Sequence, residues 1–315
     1  MEPRAVKAVV FKPSYGCDQH CVMCPHEAQR RAPMRMTPEE VSANLAAIRA
    51  RYRPRRLEIV GGEPTRFPGF FDILAWLADE WPDLRVHVYT NGLRLADDAF
   101  AARAARFGVV WNVSVHAPDE ETSHAITGCR ERHARLLEAL DRAAGQGLDL
   151  RASVAVVRQN EDRLPELGAL LGRFTFARVF FRLPVLARAD WERFMPDVTR
   201  FVERIERACE RLPASMEAEI IMAPRCFGTR VPVNVEDGEV VLVDRACSAH
   251  SGGRLRGHYD NAIVNRHAQV AFRKTAECAR CAFDQRCQGM DGRYIDELAR
   301  AGMPLRPIAP IAAKP

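Results

Sequence analysis

The sequence predicts an α/β protein, a partial (β/α)6 TIM barrel followed by a small C-terminal α+β module. Three observations carry this. Apolar runs alternate with amphipathic stretches from residue 7 to about residue 213, in units of about thirty residues, the signature of a parallel sheet covered by helices. The units number six, short of the eight that close a barrel. After Pro213 the alternation stops, and cysteines gather toward the C-terminus.

The strands are read as Ala8–Phe11, Leu57–Val60, Val86–Tyr89, Val109–Val115, Ala152–Val157 and Val179–Phe181. Each is a short, largely apolar run, as expected of a buried parallel strand. The first helix runs from Thr37 to Arg51, with Thr37 as N-cap, Pro38 in the first turn and Glu40 three residues on. Further helices are expected over 68–81, 96–107, 130–144, 161–173 and 190–211, with loops at 118–132, 184–190 and 245–260. Beyond Pro213, Glu219–Met222 adds a strand and Val231–Val243 reads as a hairpin turning at Asp237-Gly238. A cysteine-rich segment and a helix near 291–301 follow. The expected division is 1–213 for the barrel, 214–303 for the module and 304–315 for a tail.

Composition narrows the class. Of 315 residues, 47% are hydrophobic, and mean hydropathy is −0.23, values of a soluble globular chain. No apolar run approaches the ~18 residues of a membrane span, and no signal-peptide core is present. A cytoplasmic location is expected, in which ten cysteines serve as thiols or metal ligands rather than disulfides. The net charge of +5 comes from arginines spread along the chain. Their densest cluster, Arg49 to Arg56, reads as a solvated loop rather than a nucleic-acid patch, because no aromatic stripe accompanies it. Neither a nucleic-acid nor a membrane partner is expected.

Cys17, Cys21 and Cys24 stand in the spacing C-x3-C-x2-C just after the first strand. Three thiolates on one loop can hold three irons of a [4Fe–4S] cube and leave the fourth open. Zinc is the rival ligand, but structural zinc sites close with four ligands. Inert thiols are the other alternative.

With this motif the chain resembles the radical S-adenosylmethionine (SAM) enzymes. Arg56 to Thr65, containing Gly61-Gly62-Glu63-Pro64, resembles that family's second strand and its GGEP turn. Tyr89-Thr90-Asn91-Gly92 resembles the end of the third strand, and Val113 to His116 the fourth. The resemblance implies that the open iron chelates the methionyl end of SAM, and that one electron yields a 5′-deoxyadenosyl radical. It places Gly61, Gly62, Glu63, Pro64, Asn91, Ser114 and Ser153 around SAM, with Glu63 toward its amino group. Met23 stands where the family usually has an aromatic side chain against adenine. Arg158 and Asn160 are expected near the ribose, and His116 as a support for the strand-four loop. An electron donor such as flavodoxin or ferredoxin and a small-molecule substrate are the implied partners.

Cys278, Cys281 and Cys287 form C-x2-C-x5-C, which resembles the auxiliary-cluster modules called SPASM and twitch. A second [4Fe–4S] cluster is implied, with Cys226 as fourth ligand and Cys247 left over. The rival set is Cys226, Cys247, Cys278 and Cys281, and a zinc ribbon is the alternative to a cluster. A spare thiol beside a carbon radical can return a hydrogen atom to it. Cys247 is therefore the candidate catalytic residue, and Cys129 the next. On this basis the chain loosely resembles the neomycin-type aminoglycoside epimerases, and epimerisation of an amino sugar in antibiotic biosynthesis is the expected isomerase reaction. Acidic walls for such a substrate are available in Asp119, Glu120, Glu121, Asp244 and Asp260. The competing readings are a dehydrogenase or peptide maturase, a sugar decarboxylase or dehydratase, and a catalytically silent iron–sulfur or zinc scaffold. The short stretch before the first strand counts against most peptide maturases.

Overall fold

The computed structural model describes residues 2–27, 35–186, 188–227, 230–233, 239–243, 255–257, 272–284, 287 and 289–303. Strands β1 (Arg4–Phe11), β2 (Tyr52–Ile59), β3 (Arg85–Thr90), β4 (Val110–Ser114), β5 (Asp149–Ala155) and β6 (Arg178–Arg182) are the six expected from sequence. Two more parallel strands extend the sheet: β7 (Glu217–Ile221) beside β6, and β8 (Glu239–Val243) beside β1. A short β9 (Leu255–Gly257) pairs antiparallel with β8. The ladder therefore runs β7-β6-β5-β4-β3-β2-β1-β8-β9, a mixed sheet with eight strands parallel.

Helices α1 (Pro38–Arg51), α2 (Phe70–Glu80), α3 (Asp98–Ala104), α4 (Glu120–Thr127), α5 (His133–Gly145), α6 (Leu164–Leu171) and α7 (Phe201–Cys209) lie in the crossovers. Thr37 caps α1 as its sequence predicts, accepting the Glu40 N–H at 3.2 Å while Glu40 accepts the Thr37 N–H at 2.8 Å. One face of the sheet is wholly apolar. Val9, Phe11, Leu57, Ile59, Val88, Trp111, Val113, Val154 and Phe181 merge with Leu45, Ile73, Leu140, Leu167 and Ile205 of the helices in one core. Fully burying each large side chain there contributes about 1.5–3 kcal/mol.

The opposite face is divided. Ala8, Val10, Val60, Val240 and Leu242 form a small second core packed against Tyr89. The rest carries Glu58, His87, Asn112, Ser114, Ser153 and Arg182, alternating with the core residues as period two requires. This polar face is the inner one, and its C-terminal rim is where a barrel of this kind places chemistry.

Three expectations need correction. Among the described residues of Val231–Val243 no hairpin pairing is seen: Val233 bridges Ile220 in parallel, and β8 pairs with β1 and β9. The edge of β1 offers unpaired backbone groups and an apolar slot in which Val240 and Val241 are fully buried, a larger gain than a local hairpin. The turn at Asp237-Gly238 lies outside the described residues. The stretch 118–132 contains α4 rather than a plain loop, begun by Asp119, whose Oδ1 accepts the Thr122 N–H at 2.8 Å, and ended by Gly128 at φ 68°. Residues 52–56 belong to β2, so the arginine cluster is half strand.

Near the C-terminus, β10 (Phe272–Arg273) and β11 (Met290–Asp291) pair antiparallel and lead into α8 (Gly292–Arg300). The Tyr294 hydroxyl donates to the Pro184 carbonyl at 3.0 Å, which docks α8 on the segment after β6. Among the described residues no helix is long and apolar enough to cross a membrane.

Candidate active site

The chain leaves β1 and wraps residues 12–26 across the rim. Three anchors hold this loop. His20 and Val22 donate backbone N–H bonds to the Thr127 and Ile126 carbonyls at 2.7 and 2.8 Å. Gly62 and Glu63 donate to the Ser14 and Gly16 carbonyls at 3.0 and 2.8 Å. Asn91 Nδ2 donates to Asp18 Oδ1 at 2.8 Å. The second anchor requires glycine. A Cβ on Gly62 would stand 2.3 Å from the Gly16 oxygen and 2.4 Å from the Tyr15 oxygen, and one on Gly61 (φ 135°) 2.2 Å from the Ser14 oxygen.

Cys17, Cys21 and Cys24 are half-buried free thiols on this loop. Burial pushes Cys17 up to about 12, with Glu63, Asp18 and Cys24 adding to the shift and the Gln19 N–H opposing it. Burial pushes Cys21 higher still, helped by Cys24, Cys17 and Cys129. Thiols gathered in a dry pocket stay protonated until a metal replaces the proton, so this donor set fits an iron cluster. Among the described residues no three His, Cys, Asp or Glu groups already surround a point as a single metal ion demands. A cube spreads its ligands over separate corners instead. Cys129 stands beside this loop, its thiol 3.5 Å from the Asp18 carbonyl oxygen.

Glu63 is turned inward. Its Oε1 accepts from Thr65 N–H at 3.1 Å and from the Thr65 and Thr90 hydroxyls at 2.7 Å each, and its Oε2 accepts the Asn91 N–H at 2.6 Å. Burial raises its pKa, and these donors pull it back. Pro64 is buried at the start of the next short turn, and Met23 packs half-buried against the main core. Ser114 and Ser153 are register partners at the ends of β4 and β5. Ser153 Oγ accepts from Arg182 Nη2 at 2.6 Å. Asn160 is fully buried, donating to the His116 and Ala155 carbonyls and accepting the Val157 N–H, so it shapes the rim. Arg158 donates to the Met195 carbonyl at 3.3 Å. Two of the acids expected as walls, Asp119 and Glu120, serve other ends. Asp119 caps α4 and pairs with Arg163 at 2.9 Å, and Glu120 accepts the Glu131 and His133 N–H groups. Asp244 and Asp260 lie outside the described residues.

Sequence reasoning missed Lys12 and Asp18. Lys12, a lysine at the end of an apolar strand, is 1% exposed with Nζ 3.1 Å from His26 Nε2. Its signal was a cation continuing the buried alternation of β1.

The structure brings Cys226, Cys278, Cys281 and Cys287 together. Cys226 sits in the turn Arg225–Phe227 after β7, and burial lifts it to about 12, with Cys287, Cys278 and Cys281 adding to the shift. Arg225 lies over the Phe283 ring at 4.7 Å, joining the two segments. The Gly289 N–H points at Cys287 Sγ at 3.3 Å, and Thr275 Oγ1 lies 3.5 Å from Cys278 Sγ. Cys247 lies outside the described residues. Cys209 packs half-buried against the main core.

Residues 11–171, just over half of the 315, match the family model described as the radical SAM superfamily. The chain belongs to the radical SAM superfamily. This radical SAM protein is 29% identical over 166 residues to a probable GTP 3′,8-cyclase of Thermoplasma volcanium, covering 52% of this chain and 50% of that one. It is 27% identical over 162 residues to the mycofactocin maturase MftC of Mycolicibacterium smegmatis, covering 51% and 40%. The chain thus spans about half or less of the length of these relatives, which carry cyclase and maturase names rather than epimerase ones. Among solved structures, SuiB of Streptococcus suis bound to S-adenosylmethionine superposes with a TM-score of 0.65 at 14% identity, covering 96% of this chain and 76% of that one. The anSMEcpe structure with AdoMet and the Cp18Cys peptide gives 0.61 at 16%, covering 96% and 93%. At such identities the likeness is one of fold. Family membership implies one [4Fe–4S] cluster and SAM, which the buried three-cysteine loop fits.

Proposed function

We propose that this chain is a two-cluster radical SAM enzyme that oxidatively modifies a C–H bond of its substrate. Cys17, Cys21 and Cys24 hold the SAM-binding cluster, and Cys226, Cys278, Cys281 and Cys287 hold an auxiliary [4Fe–4S] cluster within the module 214–303. The observation that carries this reading is the gathering of Cys226, from the turn after β7, with the three cysteines near the C-terminus. Bound at the rim, cluster and SAM supply a one-electron cleavage and a hydrogen-atom acceptor. The chain's own part is placement. Gly61 and Gly62 let the GGEP turn close on the cluster loop, and Ser114, Ser153 and Arg182 present polar groups to a ligand lying across the rim. Glu63, its carboxylate already engaged, holds the turn and leaves the methionyl ammonium to backbone carbonyls.

The maturase named among the relatives favours the maturase reading over epimerisation. The second reading is epimerisation with Cys247 as hydrogen-atom donor. It is favoured by the arithmetic of the cysteines, since four gathered thiols leave Cys247 outside the ligand set. Anaerobic reconstitution tests the first claim: about eight irons per chain are expected, falling to about four in Cys278→Ala/Cys281→Ala. Bound zinc with about four irons would overturn the auxiliary cluster. Heavy water separates the outcomes, because an exchangeable thiol leaves one deuterium in the product and an oxidation leaves none.

A further inference from the structure

The segment between β6 and α7 is tied to the cluster loop by charge. Arg188 Nη1 pairs with Glu27 Oε2 at 2.5 Å, and its Nε and Nη2 grip Asp190 Oδ1 and Oδ2 at 2.7 and 2.8 Å. The bidentate geometry fixes the guanidinium plane. The Arg188 side chain is only 17% exposed, against 26% for Glu27 and 35% for Asp190, so solvent screens the group incompletely. Asp190 also meets the exposed Arg193 at 3.2 Å. Glu27 follows Cys24 by three residues, which sets the bridge against the cluster loop. Asp190, through its hydrogen bonds and charge, holds the guanidinium protonated, with Glu27 and then Cys24 adding smaller contributions.

We propose that the Glu27–Arg188–Asp190 bridge sets the reduction potential of the cluster at Cys17, Cys21 and Cys24, with Arg188 as the positioning residue. The inference rests on that ligand assignment. Reduction adds negative charge to a cluster already bound by thiolates, and the potential of such a cluster follows the net charge around it. Glu27 and Asp190 alone would stand as two negative charges beside the loop. Arg188 cancels one of them where it matters and pins both in place. Removing it makes the cluster harder to reduce, and removing one carboxylate makes it easier.

The test is a potentiometric titration, followed by electron paramagnetic resonance, of the anaerobically reconstituted full chain. The relevant signal is the one that changes on adding SAM. Arg188→Ala is expected to lower the reduced-to-oxidised ratio at a fixed potential about tenfold, a downward shift of about 59 mV for one electron. Asp190→Asn is expected to move the ratio the opposite way, and Arg188→Lys to restore most of the unaltered value. If Arg188→Ala loads iron normally and its potential is unchanged, the proposal is wrong. Should that variant fail to load iron, Asp190→Asn decides, because an unmoved potential there overturns the proposal and a rise supports it. Iron that binds normally after Cys17, Cys21 and Cys24 are all replaced would overturn the ligand assignment instead, a separate result.

Discussion

The backbone N–H of Asn91 donates to Oε2 of Glu63 at 2.6 Å, linking the turn after β2 to the end of β3. The other carboxylate oxygen takes three donors from Thr65 and Thr90. All four groups are donors, so the site needs an acceptor on both oxygens. Glu63→Gln puts an amide NH2 against one of them, and a buried donor left without an acceptor costs roughly 1–3 kcal/mol. The expected result is a lower unfolding midpoint in denaturant together with reduced iron at the first cluster. Full stability in this variant would show that the carboxylate is not the clamp described.

Gly62 faces two carbonyl oxygens of the cluster loop at once. A Cβ there meets two carbonyl oxygens, at 2.3 and 2.4 Å, neither of which can retreat without moving the cysteines. Gly62→Ala is therefore expected to lose most iron at Cys17, Cys21 and Cys24 and most reductive cleavage of SAM. Gly145→Ala, where nothing lies within 4 Å, is the matched control and is expected to load iron normally. Equal iron in the two variants would remove the steric argument.

Much of this was legible because local chemistry and global packing agree over the barrel. The six apolar runs are β1–β6, and Thr37 caps the first described helix as its neighbours dictate. The three-cysteine loop was readable from spacing alone. What escaped was non-local. β8 reads as half of a hairpin because Asp237-Gly238 is a strong turn signal, yet the exposed edge of β1 captures it. Glu63 reads as a partner for an ammonium, and only the positions of Thr65, Thr90 and Asn91 show the donors that its carboxylate already meets. α4 carried both of its signals, Asp119 and Gly128, and was overlooked because eight residues are a short helix. No periodicity could pair Arg188 with Glu27 across most of the barrel sequence.

Tyr294 connects the C-terminal helix to the barrel through one buried hydroxyl, 3.0 Å from the Pro184 carbonyl. Tyr294→Phe keeps the packing of the ring and leaves that carbonyl unpaired. A loss of about 1 kcal/mol is expected, read as faster proteolysis of the segment after residue 272 with iron at the first cluster unchanged. Identical proteolysis would mean that ring packing alone docks the helix.

His116 makes the fold sensitive to acid. Its Nδ1 accepts the Ala155 N–H at 3.2 Å. Burial, and then the positive charge of Arg182, push its pKa from 6.5 down to about 3. Between these two values the unfolded chain binds a proton that the folded chain refuses. Stability from this group is thus complete above pH 6.5 and is lost as the pH falls toward 3. At about 1.4 kcal/mol per pH unit, the whole window is worth roughly 4–5 kcal/mol. His116→Asn keeps an acceptor near the Ala155 N–H and removes the titration. Denaturant midpoints measured from pH 7 downward should therefore fall more steeply in the unaltered protein than in the variant. Parallel slopes would show that the imidazole does not control acid unfolding and that other groups at the rim take up the proton.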